Sequence, residues 1–328
     1  MRVFPKPRVV ISKCIEFEHV RWDGGIISSD FVKQLTPHIQ AIPVCPEVSI
    51  GLGVPRETLR IVSDGNRLRL VQPAANLDAT EKMEGFIKAF LDSLPEIDGF
   101  ILKGRSPTSA IRDARIYPNA KRNASPLRRG SGIFGAAVLS RFPHLAIEDE
   151  GRLRNPRIRE HFLTKIFVLA GFREVKSSQS TSSLVTFHTE NKLQLRAYGQ
   201  KYLRILGRIV ARRDSQPFED TFESYGSALH DALARPSRCS SNIDVMMHAL
   251  GYFSKQLSKE ERQFFLGLLE KYRKAEIPKS VPTVVLRSWI LRFDEDYLSK
   301  QTFFQPYPED LVDIEVMTAY CDGKGYSI

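Results

Sequence analysis

The sequence predicts an α/β N-terminal domain built on a mostly parallel, layered sheet, followed by an all-α C-terminal domain. Three observations lead there. Short apolar runs alternate with helix-spaced segments through the first half. The texture changes at Asn155, where an Asn-Pro pair opens a long helical pattern. After the Ser-rich stretch KSSQSTSS at 176–183, apolar residues recur at helical spacing to the end of PTVVLRSWILRF. A chain of 328 residues exceeds one ordinary core, and a division into 1–160 and 161–328 gives two domains of common size.

Taken in order, RVVIS at 8–12 reads as a buried strand, and SSDFVKQLTPHI as a short helix with Ser29 as its N-cap. AIPVC at 41–45 is a second strand. LRIVSDGNRLRLVQ is a hairpin turning at Asp64 and Gly65. An amphipathic helix at 78–94, DATEKMEGFIKAFLDSL, leads to a third apolar strand, DGFILK at 98–103. Strands separated by helices specify parallel pairing, because the chain must cross over to return in the same direction. NPRIREHFLTKIFVLAGF begins with an Asn cap and a proline at the first helical position. KSSQSTSS is the predicted connector. LVTFHTENKLQLRAYGQKYLRILGRIVARR and the segments after it fit helices, with Ser258 and Glu261 forming a capping box.

The composition, 42% apolar and 26% charged, is that of a water-soluble globular protein. No run of about 18 apolar residues offers a membrane span, and the N-terminus lacks a secretory signal pattern, so a cytoplasmic location and no membrane partner are expected. Forty-eight Lys and Arg against 38 Asp and Glu leave a net charge of +10, which favours a polyanionic partner. Arg152, Arg154, Arg157 and Arg159 form a basic run just past the α/β region. With Arg128, Arg129, Arg212 and Arg213 they are the expected RNA backbone track. His188 and Lys192, four residues apart on one predicted helical face, are expected to add to it.

Four cysteines are too few and too scattered for a disulfide scaffold, and none has zinc-knuckle spacing. Cys239 and Cys321 fall in the C-terminal part. Three loops, SKCIEF, VCPEVSIGLGVPR and KGRSPTSA, leave the carboxyl ends of the three predicted parallel strands, where open α/β sheets bind ligands. Two present Cys14 and Cys45; the third presents Ser109. Two thiols, the carboxylate Glu47 and a run of hydroxyls could make a soft-metal or nucleophilic site, and buried small residues are the plain alternative. GSGIFG at 130–135 has GxGxxG spacing before a helix. The preceding NASPLRR does not read as a strand, which argues against a dinucleotide site. Amides facing an anion, or a tight turn, are expected instead.

ISKC, RWDGG, VCPEVSIGLGVPR and LKGRSPTSA, followed by GSGIFGAAVLSRFPHLAIEDEGRL, resemble the thiouracil desulfidase family from residue 8 to about 160. FHTENKLQLRAYGQKYLRILGRIVA, HALGYF and FFQPYPEDL resemble the YbgA-like domain to which that module is often fused. The resemblance implies an iron-sulfur enzyme that removes sulfur from thiouracil and, in the fused form, converts 4-thiouridine in tRNA to uridine. It implies a 4Fe-4S cluster held by three cysteines, one per loop, with one iron open to the thiocarbonyl sulfur as a soft Lewis acid.

Under that resemblance Cys14 and Cys45 match the first two cluster ligands. Glu47 matches the acidic residue that relays protons or activates water, and Ser106 matches a pocket hydroxyl that orients the base. The third ligand position falls on Ser109, where the family has the cysteine of SPSCG. A neutral hydroxyl is a hard, weak ligand for iron, so impaired cluster assembly and little turnover are expected of this sequence. Ile15, Glu16 and Phe17 follow Cys14 where many members have Leu-Leu-Gly, which bears on pocket shape. Two other readings stay open: a non-catalytic RNA-binding relative that has lost its cluster, and a metal-free thiol enzyme using Cys14 or Cys45.

Overall fold

Four strands, β1 (Arg8–Ser12), β2 (Gln40–Val44), β6 (Gly99–Leu102) and β9 (Ala146–Asp149), form an all-parallel sheet in the order β2-β1-β6-β9. The structure is a computed structural model and describes residues 2–65, 67–121, 123–215 and 217–312. Cys321 lies outside the described residues. Val9, Val10 and Ile11 of β1 and Phe100, Ile101 and Leu102 of β6 are fully buried. Continuous apolar strands are what a parallel sheet covered on both faces requires. From β1 the chain moves outward to β2, then returns past β1 to β6. The order therefore reverses between β1 and β6, and the crevice outside their carboxyl ends is a topological switch point.

A second sheet of five strands has the order β5-β4-β3-β7-β8, formed by β3 (Arg60–Ser63), β4 (Leu68–Gln72), β5 (Leu77–Asp78), β7 (Ala114–Tyr117) and β8 (Arg128–Gly130). Only β3 and β7 run parallel in it. The hairpin expected at 59–72 supplies β3 and β4, with the Arg67 amide donating to Asp64 Oδ1 at 2.8 Å across the turn. β8 corrects the reading of NASPLRR, since its last two residues pair in a strand. Their charge hid it: Arg128 and Arg129 lie on an exposed edge strand, where no apolar face is needed.

The helices of this region are α1 (Asp30–Leu35), α2 (Pro46–Ser49), α3 (Thr80–Ser93) and α4 (Ile133–Arg141). Ser29 caps α1 as expected, its side chain accepting from the Val32 amide. Met83, Ile87 and Leu91 of α3 and Phe134 and Val138 of α4 pack with Phe100 and Leu102 in one apolar cluster. Helix α5 (Pro156–Ser178) follows, its first amides accepted by the Asn155 side chain. Among the described residues, one compact unit lies within Lys6–Ala170; the other joins residues 2–5 to residues 171–312.

The second unit is helical: α6 (Thr181–Glu190), α7 (Lys192–Tyr198), α8 (Gln200–Ala211), α9 (Phe218–Ala232), α10 (Cys239–Tyr252), α11 (Lys259–Arg273), α12 (Ser280–Arg292) and α13 (Asp296–Ser299). The Ser258–Glu261 capping box is present on α11. The Ser-rich connector is much shorter than expected, because α5 continues through Ser178 and Ser180 already caps α6. The long helical segment after it breaks at Asn191 and Gly199 into three helices.

That break separates His188 from Lys192, which do not share a helical face. His188 is 9% exposed and its Nδ1 lies 3.1 Å from the Tyr225 hydroxyl, in a core where Phe172 stacks on Phe222. Burial and the Lys192 charge hold its pKa down to about 4, so it is a neutral core residue and leaves the expected RNA-facing set. Arg159 leaves it too: it is buried, with Nη1 donating to the Leu153 carbonyl at 3.5 Å. Arg154 and Arg157 are exposed, as are Arg128, Arg129 and Lys192, whereas Arg152 is paired with Glu148 at 2.5 Å. Among the described residues, no helix is long and apolar enough to cross a membrane.

Candidate functional site

The exits of β1, β2 and β6 converge on one cavity of about 430 Å³, lined by Cys14, Cys45, Glu47, Ser106 and Ser109 together. Its size suits a small organic ligand. Each side chain is placed by backbone bonds at its strand exit. The Lys13 amide donates to Val44 O at 2.7 Å, so the turn that presents Cys14 is fastened to the end of β2. Ile15, fully buried, then bridges to Ile27. That bridge explains an isoleucine directly after the thiol. Cys45 stands immediately before α2, and its Sγ donates to Glu47 Oε2 at 3.4 Å.

The third loop is organised around Ser106. Its Oγ accepts the Thr108 and Ser109 amides, each at 3.1 Å, and lies 3.5 Å from Glu47 Oε1. The Thr108 hydroxyl donates to the same Oε1. Glu47 is thereby held between a thiol on one oxygen and a hydroxyl on the other. Ser109 is 2% exposed, with its Oγ 3.4 Å from Thr108 Oγ1. Ser12 Oγ accepts the Lys103 amide at 2.9 Å, and Lys103 Nζ pairs with Glu150 at 2.8 Å.

Beneath the loop, α4 begins at Gly132, and the amides of Gly132 and Gly135 donate to Ala110 O and Thr108 O at 2.8 and 2.9 Å. A Cβ on Gly135 would stand 2.2 Å from Ala110 O, and one on Gly132 2.4 Å from Thr108 O. These glycines serve close approach of helix to loop. Their amides are committed to carbonyls, so the expectation that they face an anion is corrected.

Burial raises both thiols, and the Glu47 carboxylate raises them further: Cys14 is pushed up to about 12 and Cys45 to about 11. In the metal-free protein both carry their protons at neutral pH. Thr108, one of the third loop's hydroxyls, holds the candidate acid. Trp22, half-exposed, lies at the cavity wall, and Arg56 fastens its segment through Trp22 O and Val20 O. An exposed tryptophan in the Gly-rich RWDGG was the available signal for it.

The placement of three donors from three loops fits a cluster site; the chemistry of the third donor does not. Cys14 and Cys45 supply two soft ligands, and Ser109 offers a hydroxyl where a thiolate is ordinary. Among the described residues, no group of three His, Cys, Asp or Glu side chains is placed to hold a metal ion.

Residues 9–150 match the family model described as 2-thiouracil desulfurase, and residues 192–308 match one described as a protein of unknown function, DUF1722. The chain thus joins a thiouracil-desulfurase-like module to a YbgA-like C-terminal one. It is 28% identical to the uncharacterized protein YbgA of Escherichia coli (strain K12) over 154 residues, 46% of this chain and 91% of that protein. Among solved structures it is similar to the 4Fe-4S-dependent thiouracil desulfidase TudS, with 26% identity and a TM-score of 0.37 over 45% of this chain and 94% of that one.

Proposed function

We propose that this chain is a cytoplasmic desulfidase of thiolated uracil that converts 4-thiouridine in tRNA to uridine, and that Ser109 impairs it. The observation that carries the reading is the convergence of Cys14, Cys45, Glu47 and Ser109 on one switch-point cavity inside the stretch matching the desulfurase family. A 4Fe-4S cluster is the proposed cofactor. Cys14 and Cys45 would hold it, and when bound it supplies a soft acceptor for the departing sulfur.

The chain's own residues account for the rest. The net change replaces C=S by C=O, taking up water and releasing sulfide with its protons. Glu47 is poised to take the proton from a water that attacks the ring carbon, with Thr108 and Cys45 fixing its two oxygens. Ser106 orients the base edge. The target base unstacks to enter the cavity, as chemistry on a base requires. The exposed Arg128, Arg129, Arg154, Arg157 and Lys192, in a chain of net charge +10, supply phosphate contacts.

The test is anaerobic iron and sulfide reconstitution of this chain beside Ser109→Cys, followed by loss of thiouridine absorbance from tRNA. The expected result is stable iron and turnover in the cysteine variant and little of either in the parent. A cysteine variant that binds no iron removes the enzyme reading. If it retains tRNA binding, the chain is a non-catalytic RNA-binding relative. Full turnover by the parent removes the impairment.

A further inference from the structure

Beside the three-loop cavity lies a second one, of about 480 Å³, which shares Thr58, Leu59, Arg105 and Pro107 with it. Its floor is the second sheet. Arg115 of β7 stands directly opposite Arg129 of β8. The β3 and β7 register pairs Ile61 with Ile116, so one residue earlier Arg60 lies beside Arg115. Ile61 and Ile116 are buried, which turns Arg60, Arg115 and Arg129 to the opposite, cavity-lining face.

Three arginines therefore stand in a row across adjacent strands, their Cα atoms spanning about 10 Å at ordinary strand spacing. Like charges directly opposite on a sheet destabilise it. Among the described residues no carboxylate pairs with the side chains of Arg105, Arg115 or Arg129. Asp113, the acid on this cavity's wall, accepts the Arg105 amide at 2.7 Å. Arg60 donates to the Lys121 carbonyl and lies 4.7 Å over the Tyr117 ring.

We infer that Arg60, Arg115 and Arg129 bind consecutive phosphates of the RNA strand whose unstacked base occupies the adjoining cavity. The inference rests on the proposed function. A row about 10 Å long exceeds one phosphate, and Tyr117 under Arg60 offers a face on which a neighbouring base can stack. Phosphate-bearing substrate could also be a free nucleotide; the length of the row favours a strand.

The experiment titrates the full chain, at several salt concentrations, with a thiouridine-bearing tRNA, with 4-thiouridine 5′-monophosphate and with the nucleoside. It compares wild type with Arg115→Ala, Arg129→Ala, the double variant, Arg115→Lys and the control Arg141→Ala. The double variant is expected to weaken tRNA binding about tenfold or more. It should also flatten the slope of log affinity against log salt by about 1.4, near 0.7 per single-strand phosphate contact. Arg115→Lys should keep the slope, and Arg141→Ala, which loses the same single charge as Arg115→Ala or Arg129→Ala alone, should not change it. An unchanged slope in the double variant overturns the inference, as does a loss confined to the monophosphate. Turnover on the nucleoside, measured in parallel with Ser109→Cys, reports the desulfidase reading separately: its failure leaves the salt slopes standing, and theirs leaves turnover standing.

Discussion

Two of the three loops at the sheet edge are held in different ways. The Cys45 loop is a strand end running into a single turn of helix, and its thiol contacts Glu47 two residues away. The loop carrying Ser109 is fastened from outside itself: helix α4 presses Gly132 and Gly135 against its backbone, and Ser106 gathers two of its amides. The position of residue 109 is therefore set by what packs behind the loop. The side chain at 109 decides chemistry and has little influence on shape.

The largest expected effect tests the thiol side of this contrast. With pKa values near 12 and 11, Cys14 and Cys45 of the metal-free protein are thiolates at about 10⁻⁴ and 10⁻³ at pH 8, against about a quarter for an ordinary cysteine. Alkylation followed by mass spectrometry should run two to three orders of magnitude slower than for a model thiol and rise about tenfold per pH unit up to pH 10. Glu47→Gln should speed Cys45, because a neutral amide no longer opposes its ionisation.

Next comes the scaffold of the third loop. Gly135→Ala places a methyl against Ala110 O and should destabilise the protein by about 3 kcal/mol, roughly a hundredfold in the unfolding equilibrium, read from the denaturant midpoint. Thr108→Val keeps the shape and removes the hydroxyl that Glu47 accepts. About 1 to 2 kcal/mol is the expected loss. Ser109→Cys, smallest of all, should change metal-free stability by no more than about 0.5 kcal/mol. A loss there as large as that of Gly135→Ala would show that the side chain at 109 holds the loop after all.

Much of this region is legible in the sequence, and the illegible parts share a cause. β1 and β6 stand out because a strand buried on both faces is an unbroken apolar run, and the edge strand β2 because a short apolar stretch ends at Cys45. β7 and β8 do not, since four and three residues interrupted by arginines carry no periodicity. Cys14, Cys45, Glu47, Ser106 and Ser109 can be singled out by residue type at strand exits. Thr108, Lys103 and Arg56 cannot, because their partners are set by packing between distant segments. His188 and Arg159 mislead in the other direction: a charge or an imidazole in a helix does not say which face it occupies, and both face inward.

A loop braced by glycines from behind has a consequence for descent. Serine and cysteine differ by one atom and can differ by one base in the codon, and the brace holds residue 109 in place for either. A lineage built on this scaffold can lose and regain its third thiol in single mutational steps, with no intermediate that must refold.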